Sequence, residues 1–228
     1  MPTASVIINS YRNENPHLIA AIQSCLDQKG VDMQVIVSTV KGDPAIDVSR
    51  DMGVDLVVSD RPGIYSQLNK ALPSVTGDWF FCFSGNDVAL VDKVSNELKL
   101  CKDGKLICYS AYYYADHDLN IKGIAEFHDY DRAKHLLGNF MVDDALMPRS
   151  ILRRYAPFRE EFGNYAYWDF WLRISSVDPT IFVYSPKPAF LYRLSPTSRH
   201  IRKKRDPAMK AMDDSHRDAM LASHRTQS

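Results

Sequence analysis

Carboxylates able to ligate a cation through oxygen, or to accept a proton, stand at Asp87, at the pair Asp143-Asp144 and at Asp169. Around them, polar segments follow short apolar runs at Asn9–Asn13, Ser38–Asp43, Asp60–Gly63 and Ser84–Asp87. A glycine-rich phosphate cradle would read G-x-G-x-x-G or as a P-loop, and common hydrolases carry G-x-S-x-G or H-E-x-x-H; none is present. Cys25, Cys82, Cys101 and Cys108 form no C-x-x-C pair and sit in apolar stretches, so buried, reduced thiols are expected and a zinc site is not. Arg199, Arg202, Lys203, Lys204 and Arg205 make a basic cluster that attracts anions, with His200 inside it.

The elements that must position these groups alternate through the first half. Ser5–Ile8 is a short strand. Asn15-Pro16 then sets a capping residue before a proline, and Leu18, Ile22 and Cys25 recur at helical spacing until Gly30. Val35–Val37 is a second strand, Asp43-Pro44 repeats the cap-then-proline device for a helix ending at Gly53, and Leu56–Val58 is a third strand. A helix over Ile64–Leu72, a strand over Trp79–Phe83 and a helix over Val91–Leu100 complete the series. Apolar strands separated by helices predict an α/β fold whose parallel sheet is covered on both faces. Ligands then bind beyond the carboxyl ends of the strands, which gathers the four polar segments around one crevice.

From Leu106 the pattern becomes mixed α+β. A strand over Leu106–Tyr114, a turn at Asp118–Asn120 and a strand over Ile121–Ile124 come first. Helices near Asp131–Leu137, Arg149–Tyr155 and Tyr167–Ser175 and strands at Ile181–Tyr184 and Ala189–Tyr192 follow, expected to continue the same sheet. Tyr112, Tyr113 and Tyr114 alternate faces, with core packing the first expectation and the crevice the second. The 228 residues, 45% hydrophobic and 25% charged, fit one large domain or one domain with an appendage. Lys plus Arg and Asp plus Glu are 28 each, a balance that argues against a nucleic-acid coat. No basic and apolar leader opens the chain, and no apolar run approaches the ~20 residues of a spanning helix, so a cytoplasmic protein is expected.

Ala4–Tyr11, Gly63–Tyr65, Leu68–Leu72, Thr76–Trp79, Trp168–Arg173 and Lys187–Ser198, in this order along the chain, together resemble family 2 glycosyltransferases of the GT-A fold. Ala4-Ser5-Val6-Ile7-Ile8-Asn9-Ser10-Tyr11 is similar to the family's opening V-S-V-I-I-P-T-Y-N. Gly63-Ile64-Tyr65, Leu68–Leu72 and Thr76–Trp79 resemble the stretch before its metal-binding strand end. Trp168–Arg173 resembles its acceptor-side helix, E-D-x-D-L-W-L-R, and Lys187–Ser198 its closing strand. The resemblance implies a Rossmann-like sandwich over residues 1–198, with a nucleotide-sugar half (1–103), an acceptor half (104–198) and a basic, helix-prone tail (199–228). It also implies sugar transfer from a nucleotide-diphosphate donor to an acceptor hydroxyl, commonly with inversion. A divalent cation (Mn²⁺ or Mg²⁺) would neutralise the leaving diphosphate, and a carboxylate would act as base.

The chain departs from that pattern in three places. The D-x-D-D motif reads Ser84-Gly85-Asn86-Asp87, which leaves Asp87 as main ligand and Asn86 as a neutral one. The V-D-D-G-S loop reads Val37–Asp43, with Thr39 where a carboxylate usually reads the base. The E-D pair reads Ala166-Tyr167, so the base is expected at Asp169, with a helix-capping role as its alternative and Asp143 and Asp144 in reserve. By the same resemblance Asn9, Tyr11, Arg12, Arg61, Asn69 and Trp168 contact substrates, and His200 is a candidate metal ligand, each against the plainer role of a solvated or packed side chain. The expected acceptor is a glycan or lipid-linked glycan in surface-polysaccharide assembly. The tail is expected either to pack on its own domain, to form a dimer contact, or to rest on the inner face of an anionic membrane. A GT-A-like scaffold without catalysis is the alternative, and nucleic acid is the least favoured partner.

Overall fold

A computed structural model of the chain describes residues 1–194 and 206–225. Strand β1 (Thr3–Asn9) lies between β2 (Asp32–Val40) and β4 (Trp79–Ser84), with β3 (Asp55–Ser59) outside β2; all four run parallel. Their side chains alternate between two cores. Val6, Ile8, Val35, Val37, Phe81 and Phe83 pack against α1 (Asn15–Leu26), α2 (Ala45–Asp51) and α4 (Lys93–Leu100) through Leu18, Ile22, Val48 and Val94. Ile7, Ile36, Phe80 and Cys82 pack on the other face against Leu68 of α3 (Ile64–Ala71), Leu152 of α6 (Arg149–Tyr155) and Phe170 and Trp171 of α7 (Ala166–Ser175). Burial on both faces explains why the strands read as continuous apolar runs, each buried aliphatic or aromatic side chain contributing about 1.5–3 kcal/mol.

The second half does not simply extend this sheet. Among the described residues of that half, only β9 (Met147–Pro148) joins it, antiparallel to β4. The expected strand over 106–114 is two strands, β6 (Ile107–Ser110) and β7 (Tyr112–Ala115), which part at Ala111. Ala111 donates its N–H to Ser185 O and accepts from Ala189 N, so the chain steps from one partner strand to another there. Strand β6 pairs with β10 (Phe182–Ser185), while β7 joins a sheet ordered β5 (Val88–Ala89), β11 (Phe190–Arg193), β7, β8 (Ile121–Ala125). Pro186 and Pro188, which lack an N–H, separate β10 from β11.

Two caps differ in detail from the sequence expectation. Glu14 rather than Asn15 is the N-cap of α1, one residue earlier. Before α2 the N-cap is Pro44 rather than Asp43, although the Asp43 carboxylate still accepts from Ala45 N at 2.9 Å. In α5 (Arg132–Leu137), Asp131 caps the N–H groups of Ala133 and Lys134. The last helix, α8 (Pro207–Arg225), packs on α7 and the preceding turn, with Met220 among Phe162, Trp168 and Leu172. No described helix is long and apolar enough to cross a membrane.

Candidate active site

A cleft of about 470 Å³ opens where β1 and β4 end. One wall carries Asn9, Tyr11, Asn13, Gln67, Asn86 and Asp87; the other carries Asp143, Asp144, Tyr112, Tyr167, Phe190 and Tyr192. The first wall is shaped locally. Asn13 Oδ1 accepts from Ser10 Oγ at 3.0 Å and from Tyr11 N at 2.9 Å, which curls the loop after β1. Gly85 donates its N–H to Asn9 O, and a Cβ there would lie 3.2 Å from the Asn13 side chain, so glycine lets the two strand ends close on each other.

Asp87 is held by β11. Its Oδ1 accepts from Arg193 N at 2.9 Å, while the Arg193 guanidinium donates to the carbonyls of Asn86 and His117. Burial pushes the Asp87 carboxyl up to about 7; the Arg193 N–H bond opposes the shift and the Asp144 charge adds to it. Asp143 is enclosed by surrounding protein but open to the cleft, and burial followed by the Asp144 charge raises it to about 7. Asp144 is raised by burial and opposed by Lys93, whose Nζ lies 3.1 Å from Oδ2; Oδ1 has no hydrogen-bond partner. The buried Asn9 Oδ1 is likewise without a partner among the described residues, and burial holds the Tyr167 phenol well above its ordinary range. Unsatisfied buried polar atoms are rare, and those of Asn9 and Asp144 belong to residues that line one cleft.

The structure brings Asn9, Tyr11, Asn86 and Asp87 together in this cleft, and leaves other expected residues outside it. Asp169 is the clearest correction. It is 0% exposed, its Oδ2 accepts from Arg173 Nε at 2.9 Å with Arg159 at 3.5 Å, and its Oδ1 meets His224 Nε2 of α8 at 2.9 Å. Tyr167 faces the cleft, and Asp169, about 200° further round the helix, faces away. Trp168 is buried against Phe162, Leu172 and Met220, and its indole donates to His135 O at 2.8 Å. Asn69 clamps backbone: its Nδ2 donates to Phe158 O and its Oδ1 accepts from Phe158 N, both at 2.9 Å. Arg61 pairs with Glu160 at 2.7 Å. Arg12 has φ 55°, donates its N–H to Asp43 and places its guanidinium 5.1 Å from the Tyr11 ring centroid, beside the cleft wall. Thr39 is fully buried with an unpartnered hydroxyl and does not line the cleft. His200 and the basic cluster lie outside the described residues.

Gln67, Phe190 and Tyr192 were not among the expected contacts, and Asp143 and Asp144 stood only in reserve. The signal for the pair was two adjacent carboxylates inside an apolar stretch, Met141-Val142 before and Ala145-Leu146 after. All four cysteines are free, and burial raises each thiol; Cys25, Cys82 and Cys108 are buried as expected, while Cys101 is only partly buried.

No family model and no curated protein sequence matches the chain. Solved structures do. TarS of S. aureus in complex with UDP superposes with a TM-score of 0.65 at 12% identity, over 98% of this chain and 70% of that one. The glucosyl-3-phosphoglycerate synthase of Mycobacterium tuberculosis in complex with UDP gives 0.66 at 16% identity, over 98% and 80%. The same synthase with Mn²⁺, UDP and glucosyl-3-phosphoglycerate gives 0.64 at 17% identity, over 98% and 80%. The chain therefore has the GT-A glycosyltransferase fold that the sequence resemblance implied.

Proposed function

We propose that this chain is a glycosyltransferase that moves a sugar from a nucleoside-diphosphate donor to an acceptor hydroxyl, with inversion at the anomeric carbon. The observation that carries the reading is the convergence of Asp87, Asp143 and Asp144 on one aromatic-walled cleft at the carboxyl ends of β1 and β4. The similar structures were solved with UDP, and one with Mn²⁺ as well, which makes a uridine nucleotide the first donor to try.

Asn9 and Tyr11 stand at the end of β1, where they would contact the donor nucleotide. The donor set beside them is all oxygen: Asp87 and Asn86, just past the end of β4. Such a set suits Mg²⁺ or Mn²⁺, and Asp87 with Asn86 would hold the ion. A divalent cation bound there supplies neutralisation of the charge that develops on the leaving diphosphate. The base is assigned to Asp143, which is open to the cleft where Asp169 is not. In the displacement, the acceptor oxygen bonds to the anomeric carbon, the bond from that carbon to the diphosphate oxygen breaks, and the acceptor proton passes to Asp143. Tyr112, Phe190 and Tyr192 offer ring faces against which an acceptor sugar could pack.

The test is a calorimetric titration of the chain with UDP, GDP, CDP and dTDP, with and without Mn²⁺, repeated on Asp87→Asn after a thermal melt confirms folding. One nucleotide is expected to bind, more tightly with Mn²⁺, and to lose the Mn²⁺ dependence in the variant. Absence of binding by all of them would replace the transferase reading with that of a GT-A-like scaffold.

A further inference from the structure

Beside the cleft, one cluster combines donor types that the cleft lacks. Glu14 caps α1, His17 lies in its first turn, and His117 sits in the turn between β7 and β8; one ligand atom of each lies within 4.8 Å of the others. Glu14 Oε2 is 3.9 Å from His17 Nε2, and the two imidazole rings meet edge to face with centroids 4.7 Å apart. Three residues apart at a helix start, Glu14 and His17 share a face; His117 is delivered to that face from a distant hairpin.

We propose that Glu14, His17 and His117 bind a late first-row divalent cation, zinc by preference, which clips the start of α1 to the β7–β8 turn. Two imidazoles and one carboxylate form the three-ligand set of zinc sites whose fourth position is left to water. Mg²⁺ and Ca²⁺ favour all-oxygen sets, so this site selects a different ion from the cleft. The His17 side chain is 12% exposed, and the Arg193 charge lies close to it. Arg193 also opposes a second cation nearby. Its guanidinium, however, is engaged by the carbonyls of Asn86 and His117, which fixes the turn presenting His117, and Glu14 supplies compensating negative charge. Because the Tyr11–Asn13 loop runs directly into α1, the bound ion would tie the end of that loop to the β7–β8 turn. The site stands independently of the transferase reading.

The test uses the full chain stripped of metal, titrated with Zn²⁺ by calorimetry and with Co²⁺ by visible absorption. One equivalent of Zn²⁺ is expected, with the intense Co²⁺ spectrum of a four-coordinate nitrogen and oxygen site. Both are expected to weaken by at least about tenfold in His117→Ala and in Glu14→Gln, since even outer-sphere changes cost that much. Binding is expected to persist in Asp87→Asn and under excess Mg²⁺. His117 and Glu14 are exposed, so neither variant endangers folding, and metal-free melts check that. Unchanged Zn²⁺ affinity in both variants, or a Co²⁺ spectrum like that of the hydrated ion, overturns the proposal.

Discussion

Lys93→Met is expected to destabilise the protein by about 3–5 kcal/mol at about pH 8, the cost of removing one partner from a buried ion pair. The Lys93 side chain is 0% exposed. Its Nζ donates to both Glu97 oxygens at 2.8 and 2.9 Å and to Asp144 O at 3.0 Å, with Asp144 Oδ2 3.1 Å away. Methionine nearly preserves the side chain's length and apolar stem, so little of the loss is cavity formation, although the ammonium also leaves its seat 4.8 Å from the Phe81 ring centroid. What remains is two buried carboxylates with no cation, Glu97 keeping only the hydrogen bond from Ser110 Oγ at 2.7 Å. Even with Lys93 present, burial raises Glu97 to about 7 from 4.5 and raises Asp144 in the same direction. The folded state therefore binds more protons than the unfolded one between those pH values, and these two groups favour folding more as pH falls through about 7 toward 4.5. Without the cation the carboxyls hold protons to still higher pH, so the deficit of the variant should narrow between about pH 8 and about pH 5.5. Urea unfolding of both proteins at the two pH values measures this. A deficit under about 1 kcal/mol at the higher pH, or one that widens in acid, would refute the assignment of Lys93 as counter-charge to this pair.

Three further substitutions test other parts of the reading. Asp143→Asn should lower kcat by roughly 10²–10⁴-fold, as loss of a general base does, with donor affinity little changed; a kcat within a few-fold of wild type excludes Asp143 as the base. Asp169→Asn should cost about 2–3 kcal/mol of stability, through its charged hydrogen bonds to Arg173 and His224, while the folded variant keeps its kcat. A folded Asp169→Asn enzyme without activity would return Asp169 to the chemistry. Gly77→Ala should cost about 3 kcal/mol or more by overpacking, because the new Cβ would lie 2.6 Å from backbone atoms of Ala4 and Ser5 in the central strand; an unchanged melting temperature would contradict that close approach.

The sheet was legible because its strands and helices carry local signals that agree with their burial. Val6 and Ile8 on one face and Ile7 on the other leave β1 no polar position in mid-strand except Ser5, whose hydroxyl is consumed by Gln34 and Gly77. Strand-end residues Asn9, Asn86 and Asp87 followed from that register. The acceptor side was harder to read because helical rotation and distant partners decide which side chain faces the cleft. Nothing local says that Asn69 will spend its amide on the Phe158 backbone, or that α8 will bring His224 to Asp169. The break at Ala111 was hidden for a related reason: Ile107–Ala115 reads as one apolar run, and only the separate partners β10 and β11 divide it.

The exchange of charge between two cleft walls follows from electrostatics. Asp87 and Asp143 are already pushed up to about 7 by burial, with the charge of Asp144 adding to both, and of these three carboxylates Lys93 counters Asp144. A further carboxylate at the start of α7 would raise this repulsion in a poorly solvated space, where one more anion forces another group to keep its proton. Tyr167 fills that place with a neutral phenol whose pKa burial and the Asp143 charge hold high, so the α7 wall contributes shape and a polar tip but no charge. Asp87 or Asp143 can then ionise when a cationic ligand enters, which a fourth acid would hinder. Tyr167 therefore gives Asp143 a neutral neighbour in the cleft, at the position where the resembled pattern would set a carboxylate.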